Sequence, residues 1–295
     1  MSVNIALPSS AYFDFTDCCE IIDAGVKRMK AHGFDSVDYQ GFAYHEIFNW
    51  SEDEFLKRLG TTAHVCQKNG VHIFQSHGPS RWPAKDATDE DRAEIFEKMS
   101  KSIRGSALLE CKYLVLHTIM PFGTGKISDE EIRLTREINL DYFCKLESVA
   151  KAHGVVICLE NLPFKDFSLS QTSDVVSLVK EINSPYVRIC LDTGHSAIFG
   201  APEDDIRLAG EYLATVHLHD NNGRRDEHKM PFEGKIDWQE VCRALCDVGF
   251  DGALNFETWA QGHYPPHIRE YMEKGFAMTV RYVADMYSDI RNGLK

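Results

Sequence analysis

Short apolar runs recur along the chain, and each is bounded by polar, glycine or proline residues. Runs of this length between turn signals are typical of strands that are buried on both faces, as in a parallel sheet. Tyr186–Cys190, for example, follows Ser184-Pro185 and leads directly towards the acidic residue Asp192. The pattern predicts strands at Asn4–Leu7, Ser36–Gln40, Val71–His77, Tyr113–His117, Val155–Glu160, Tyr186–Cys190, Ala214–His219 and Ala253–Glu257.

Segments with apolar residues at helical spacing separate these strands. Ser51 with Glu54, and Ser128 with Glu131, form capping-box patterns at two of the helix starts. The predicted helices cover about 17–32, 51–69, 88–110, 128–153, 172–182, 202–212, 237–248 and 267 to the C-terminus. This α/β alternation predicts one (β/α)8 barrel domain over residues 1–295. An open doubly wound sheet is the alternative, but the first turn lacks a Gly-x-Gly-x-x-Gly phosphate loop.

Composition narrows the classes of function. The chain has 295 residues, 43% of them hydrophobic and 26% charged, which is enough for a large globular core. We expect neither a signal peptide nor a membrane span, since the N-terminus lacks a basic and apolar leader pattern and no long apolar run occurs. Nine cysteines without a Cys-x-x-Cys pair favour a cytoplasmic location. A formal net charge of -13 argues against a nucleic-acid partner.

Residues with metal-ligand chemistry stand at the ends of the predicted strands. Because the carboxyl ends of barrel strands meet at one face, their side chains are expected to converge there. The candidates are His77, His117, Glu160, Asp192, His195, His217, His219 and Glu257, with Asp226 and His228 in a following loop. Imidazoles and carboxylates together suit Zn²⁺, Mn²⁺ or Co²⁺. Such a cation would also relieve the mutual repulsion of Glu160, Asp192 and Glu257.

Five segments carry a resemblance to a known family: Leu159-Glu160-Asn161, Leu191-Asp192-Thr193-Gly194-His195, His217-Leu218-His219-Asp220, Asp226-Glu227-His228 followed by Gly234–Trp238, and Phe256-Glu257-Thr258. In this order, and over essentially the whole chain, they resemble the xylose-isomerase-like superfamily of TIM barrels. The resemblance implies one divalent metal (Mn, Zn, Co or Mg) held by Glu160, Asp192, His217 or His219, and Glu257. His217 lies three residues before Asp220, as in the commoner family pattern, so the resemblance favours His217 and leaves His219 open.

The resemblance also implies proton transfer beside a carbonyl group, with a small sugar or sugar phosphate as substrate. The enzyme would then be an isomerase or epimerase working through a metal-stabilised enediolate, with Glu160 and Glu257 as the catalytic base and acid. His195 resembles the family residue that contacts a substrate oxygen. Further substrate contacts are predicted at Arg225, Lys229, Trp82, Phe122 and Trp259.

Two other reactions remain open on the same barrel. Endonuclease-IV-type enzymes use more ligands for three zinc ions, and His77, His117, His195, Asp226 and His228 resemble these extra ligands, so a zinc phosphodiesterase acting on abasic DNA is one alternative. A sugar or inosose dehydratase-type lyase is the other. An apolar stripe on the last helix indicates either a homo-oligomer interface or packing inside the monomer; it comprises Tyr271, Met272, Phe276, Met278 and Tyr282.

Overall fold

The strands form one parallel sheet that curves into a barrel. A computed structural model describes residues 3–80, 86–258 and 265–293. The strands are β1 Ile5–Pro8, β2 Ser36–Tyr39, β3 His72–His77, β4 Tyr113–Leu116, β5 Val156–Glu160, β6 Val187–Asp192, β7 Leu213–His217 and β8 Leu254–Asn255. They pair in the order β7-β6-β5-β4-β3-β2-β1-β8. Just beyond β7, the Leu218 N–H donates to the Asn255 carbonyl at 2.8 Å, which joins the two ends of the sheet. The predicted (β/α)8 barrel is therefore confirmed.

Helices connect the strands and cover the outside of the barrel. They are α1 Cys19–Ala31, α2 Glu52–Lys68, α3 Asp89–Leu108, α4 Asp129–His153, α5 Thr172–Ile182, α6 Thr193–Phe199, α7 Pro202–Ala209, α8 Trp238–Asp247 and α9 Pro266–Arg291. Short 3-10 turns occupy Ser9–Ala11, Gly41–Ala43, His45–Asn49 and Gly210–Tyr212. Among the described residues, no helix is long and apolar enough to span a membrane.

Local chemistry sets several helix boundaries where the sequence predicts them. Ser128 caps α4, because its side chain accepts from the Glu131 N–H while the Glu131 carboxylate accepts from the Ser128 N–H. Gly154 ends the same helix with a φ of 69°, a left-handed conformation that glycine adopts at little cost. Ser51 caps α2 by accepting from the Glu54 N–H, but the Glu54 side chain pairs with Arg58 instead.

The segment after β6 forms a helix that the sequence pattern does not predict. Residues Thr193–Phe199 form this helix, α6. Asp192 is its N-cap, and Oδ1 accepts from the His195 N–H at 2.6 Å. Gly194 is required within this helix because a Cβ atom there would lie 2.6 Å from Nε2 of His219. The glycine therefore allows two ligand-bearing segments to touch.

The apolar stripe predicted on the last helix divides into two faces of α9. Phe276 is buried in the core of the monomer, as the packing alternative expects. Tyr271, Met278 and Tyr282 are instead 73%, 75% and 57% exposed. The ring of Phe232 packs edge-to-face against Tyr282 at a centroid distance of 5.8 Å. Burial in the monomer therefore explains only the inward face of this helix.

Candidate metal centre

The barrel strands deliver the predicted ligands to one face. A β-strand holds its last residue at a fixed position on the barrel rim, so residues at corresponding ends converge although they are distant in the chain. His77, Glu160, Asp192 and His217 are the last residues of β3, β5, β6 and β7. His117 and Glu257 follow β4 and β8 closely. These side chains, with His195, His219, Asp226 and His228, form three adjoining clusters of ligand atoms.

The central cluster comprises Glu160, Asp192, His217 and Glu257. Nδ1 of His217 lies 2.8 Å from Oε1 of Glu160, 3.2 Å from Oε2 of Glu257 and 4.0 Å from Oδ2 of Asp192. Glu160, Asp192 and His217 are almost completely buried. One imidazole nitrogen thus faces three carboxylates, which is the arrangement that the resemblance implies around a metal.

The β3–β5 cluster comprises His77, His117 and Glu160. Nε2 of His117 lies 3.0 Å from Oε2 of Glu160, and Nε2 of His77 lies 3.5 Å from the same oxygen. Glu160 therefore presents one oxygen to each of two clusters.

The loop cluster comprises His195, His219, Asp226 and His228. Oδ2 of Asp226 lies 3.3 Å from Nε2 of both His195 and His228. Nε2 of His219 lies 3.0 Å from Oδ2 of Asp192, which connects this cluster to the central one. His228 has a φ of 46°, an uncommon left-handed conformation for a non-glycine residue. The loop thus holds this imidazole in position at a conformational cost.

The structure separates the two histidines that the sequence left as alternatives. β7 ends at His217, and His219 lies two residues beyond the end of the strand. His217 faces Glu160 and Glu257, whereas His219 stacks on His228 at a centroid distance of 4.1 Å. Geometry therefore places His217 in the central cluster and His219 in the loop cluster.

Backbone carbonyl groups fix the orientation of three histidines. Nδ1–H of His77 donates to the Gly78 carbonyl at 2.9 Å, and Nδ1–H of His195 donates to the Asn161 carbonyl at 2.8 Å. Nδ1–H of His228 donates to the Glu257 carbonyl at 2.7 Å. Because a neutral imidazole carries a single proton, Nε2 of each ring is left with a lone pair directed at a carboxylate. This is the tautomer that a metal ligand requires.

Neighbouring imidazoles keep the glutamates ionised. Burial alone would raise the pKa of Glu160, but the charge of His217 and hydrogen bonds from His117 and His217 hold this pKa well below its usual range. Burial likewise acts to raise the pKa of Glu257, and the nearby charge of His217 outweighs it and lowers the pKa to about 2. Both carboxylates are therefore charged at neutral pH.

The carboxylates have the opposite effect on the imidazoles of the loop cluster. Burial lowers the pKa of His195, but the charge of Asp192 and the hydrogen bond to Asp226 raise it to about 10. For His228, burial is outweighed by Asp226 and Glu257, and the pKa rises to about 9. Without a cation, protons on these histidines balance the negative charge of the site.

The chemistry of this donor set fits divalent metal ions. In each cluster the ligand atoms lie within 4.8 Å of one another and combine imidazole nitrogens with carboxylate oxygens. A histidine lone pair and a carboxylate oxygen are both acceptors, so their close approach requires either a proton or a cation between them. Histidine and carboxylate ligands together are typical of zinc, manganese and cobalt sites.

The predicted substrate contacts have different positions. His195 belongs to the loop cluster, Lys229 pairs with Glu227 at 3.1 Å, and Arg225 is exposed on the same loop. Phe122 is 38% exposed in the segment after β4. Trp82 and Trp259 lie outside the described residues. For all of these side chains, substrate binding stays a prediction.

Asn161 and Asp220, for which the sequence predicts no role, stabilise the segments that carry the ligands. Oδ1 of Asn161 accepts from the Asp192 N–H at 2.7 Å, and its Nδ2 donates to the Asp192 carbonyl at 3.0 Å. Both oxygens of the buried Asp220 accept hydrogen bonds from the segment 221–238, including one from the indole N–H of Trp238 at 3.1 Å. Their signal in the sequence was adjacency, since each directly follows a candidate ligand.

The sequence and the fold of this chain are similar to those of known epimerases and isomerases. D-psicose 3-epimerase of Ruminiclostridium cellulolyticum is 31% identical over 250 residues, covering 80% of this chain and 78% of that protein. An inosose isomerase of Bacillus licheniformis is 23% identical and covers 87% of this chain and 94% of its own. The solved structure of an L-ribulose 3-epimerase has a TM-score of 0.77 at 16% identity, covering 100% of this chain and 98% of that one, and so shares the fold.

A sequence profile described as a xylose isomerase-like TIM barrel matches residues 26–280, which include all three clusters. Together with the 31% identity, this match establishes that the chain belongs to the xylose isomerase-like TIM barrel family.

Proposed function

We propose that this protein is a divalent-metal-dependent isomerase or epimerase of a small sugar or sugar phosphate. The observation that carries the proposal is the convergence of Glu160, Asp192 and Glu257 on Nδ1 of His217. The sequence similarity to a D-psicose 3-epimerase and to an inosose isomerase supports a small carbonyl sugar as the substrate.

The central cluster would hold the metal through Glu160, Asp192, His217 and Glu257. Its imidazole favours Zn²⁺, Mn²⁺ or Co²⁺ over Mg²⁺, which prefers oxygen ligands. A cation held there supplies Lewis-acid chemistry, polarising the substrate carbonyl and making the adjacent C–H more acidic.

Two ionised glutamates provide the proton chemistry. Glu160 and Glu257 both lie within 3.2 Å of the same His217 nitrogen, one from the end of β5 and the other from the segment after β8. One ionised carboxylate can take the proton from the carbon beside the carbonyl, and the other glutamate, after taking up a proton from solvent, can return it to the opposite face. The first glutamate ends protonated and the second ends ionised, and the first then releases its proton to solvent, so the exchange inverts the carbon and conserves the total number of protons. Return to a neighbouring carbon instead gives isomerisation.

Residues around the cluster would orient the sugar. Nε2 of His195 points towards Asp226 and can contact a substrate oxygen, and Arg225 and Lys229 lie on the loop that carries Asp226. The aromatic side chains Phe122, Trp82 and Trp259 are proposed to line the mouth. Exclusion of water by such a wall would protect a carbanion-like species from unproductive protonation.

The first experiment is metal analysis of gently purified protein together with the variant Glu257→Gln. We expect about one equivalent of metal in the wild type and less in the variant, since an amide is a weaker ligand than a carboxylate. Glu211→Gln is the control, because Glu211 is exposed and precedes β7 at the opposite end of the barrel. Absence of metal after reconstitution with Mn²⁺, Co²⁺ or Zn²⁺ would refute the proposal.

The second experiment defines the reaction. The metal-loaded protein is incubated in deuterated water with D-psicose, D-fructose, D-tagatose, L-ribulose and an inosose, which are named for its relatives. An epimerase or isomerase incorporates deuterium at the carbon beside the carbonyl, and Glu257→Gln should abolish this exchange. Loss of water with formation of an unsaturated product would instead assign the lyase alternative.

The geometry also favours a second candidate, a zinc phosphodiesterase of the endonuclease-IV type. Its support is the presence of three adjoining clusters, with Glu160 common to two of them and Asp192 in contact with His219 of the third. About three equivalents of zinc and cleavage of an abasic-site oligonucleotide would favour this activity. One equivalent of metal and no cleavage would exclude it. The net charge of -13 argues against DNA as a substrate.

A further inference from the structure

The far side of the His217 ring faces a buried aspartate on another strand. Nε2 of His217 lies 3.6 Å from Oδ2 of Asp38, which belongs to β2. Both side chains are completely buried inside the barrel. The central cluster lies on the Nδ1 side of the ring, so Asp38 is positioned directly behind a proposed ligand.

Amide donors hold the Asp38 carboxylate in place. Its Oδ2 accepts from Nε2 of Gln40 at 3.0 Å, from Nδ2 of Asn255 at 3.1 Å and from Nε2 of Gln75 at 3.2 Å. Three donors on one oxygen restrict the rotation of the carboxylate. Asp38 is therefore a fixed acceptor at the base of the site.

Nε2 of His217 is among the buried side-chain atoms that have no hydrogen-bond partner among the described residues, and so is Oδ1 of Asp38. An ionised carboxylate can only accept, so an imidazole nitrogen facing it is stable only when it carries the proton. The separation of 3.6 Å from Oδ2 is just beyond hydrogen-bond length, and a shift of roughly 0.5 Å would close it.

Three other histidines are oriented in a similar way, but by backbone carbonyl groups. Nδ1–H of each of His77, His195 and His228 donates to a carbonyl oxygen, and Nε2 of the same ring faces a carboxylate. His217 is reversed, since its Nδ1 faces the cluster and its Nε2 faces Asp38. A side-chain carboxylate thus takes the place of the backbone carbonyl.

We propose that Asp38 is a positioning residue that holds the proton of His217 on Nε2 and thereby directs the Nδ1 lone pair into the central cluster. The inference rests on the proposed metal-dependent function. Asp38 touches neither metal nor substrate in this role and acts through His217. A carboxylate behind a ligating histidine strengthens metal binding by fixing the ring and raising its basicity.

Metal affinity of Asp38→Asn, measured by competition with a chromophoric zinc chelator, tests the inference. The variant keeps the shape of the side chain but removes the charge, and we expect the affinity of one zinc equivalent to fall about 10- to 100-fold. Ser36→Ala is the matched control. Ser36 lies two residues earlier on β2, is equally buried, and its hydroxyl has no hydrogen-bond partner among the described residues. Its removal should leave zinc affinity unchanged.

A spectroscopic readout separates positioning from general destabilisation. Zinc-loaded protein labelled with ¹⁵N-histidine is examined by long-range ¹H–¹⁵N correlation, with His217 assigned from the signal lost in His217→Gln. We expect the His217 proton on Nε2 in the wild type and a changed pattern in Asp38→Asn. A wild-type proton on Nδ1 would overturn the inference even if Asp38→Asn failed to fold.

The two proposals fail in distinguishable ways. A wild type that binds no zinc would refute the proposed function and the inference together. A wild type that binds zinc, with equal affinity in Asp38→Asn, would refute the inference alone and leave the proposed function standing.

Discussion

Replacement of Gly194 by alanine tests the contact that joins two of the sequence motifs. A Cβ atom on Gly194 would overlap the imidazole of His219, at 2.6 Å from Nε2, whereas ordinary contact begins at 3.4 Å. His219 cannot easily move aside, because it stacks on His228 and its Nε2 lies 3.0 Å from Oδ2 of Asp192. Gly194→Ala should therefore expel the imidazole from the loop cluster.

The magnitude follows from the interactions that this movement breaks. Loss of a hydrogen bond to a charged group costs about 1.5–3 kcal/mol. Crowding of a packed site adds about 1–3 kcal/mol, and the better helix propensity of alanine offsets up to about 1 kcal/mol. Together, these contributions predict that Gly194→Ala lowers the free energy of unfolding by about 1.5–6 kcal/mol.

Urea unfolding of the metal-free protein measures this change. Gly60→Ala is the control, since Gly60 lies within α2 with nothing within 4 Å of its added Cβ, and this variant should be equally or more stable than the wild type. In a double-mutant cycle with His219→Ala, the cost of Gly194→Ala should largely disappear. An unchanged urea midpoint for Gly194→Ala, or an equal cost in both backgrounds, would refute the reasoning.

Three further predictions concern metal, pH and thiols. Zinc at one hundred times its Kd should stabilise the folded protein by about 2.7 kcal/mol and so raise its melting temperature. EDTA should reverse this shift. An identical melting curve with zinc and with EDTA would contradict metal binding to the folded state. The pKa values of His195 and His228 rise to about 10 and about 9 from 6.5, so in the metal-free protein their ion pairs should contribute full stability below about pH 6.5 and lose it as the pH rises through 9 to 10. Urea midpoints measured from pH 6 to pH 10.5 check this, and a flat profile would count against it. The exposed thiols of Cys18, Cys19 and Cys144 should react with Ellman's reagent at pH 8. Burial raises the pKa of four other thiols to about 12, those of Cys66, Cys111, Cys190 and Cys242. These four should react only after denaturation.

The hydrophobic pattern predicted the strands well, because strands buried on both faces need continuous apolar runs and their boundaries need turn residues. The capping pattern of Ser128 with Glu131 predicted the start of α4 for a similarly local reason. The pattern failed at Thr193–Phe199, which it assigned to neither a strand nor a helix although the chain forms a helix there. Gly194 in this helix is required by its contact with His219, and a local sequence pattern cannot reveal a contact between distant segments.

The sequence by itself determined the fold class and the pool of candidate ligands, since both depend on residue type and on spacing along one strand or helix. Only the tertiary structure divided that pool into three clusters, because membership depends on where each strand ends on the barrel rim. His217 and His219 differ by two residues, yet the end of β7 places them in different clusters. Asp38 and His217 lie far apart in the chain, and the closure of the barrel alone brings them together. Distances across a closed sheet depend on all eight strands at once, and no local pattern encodes them.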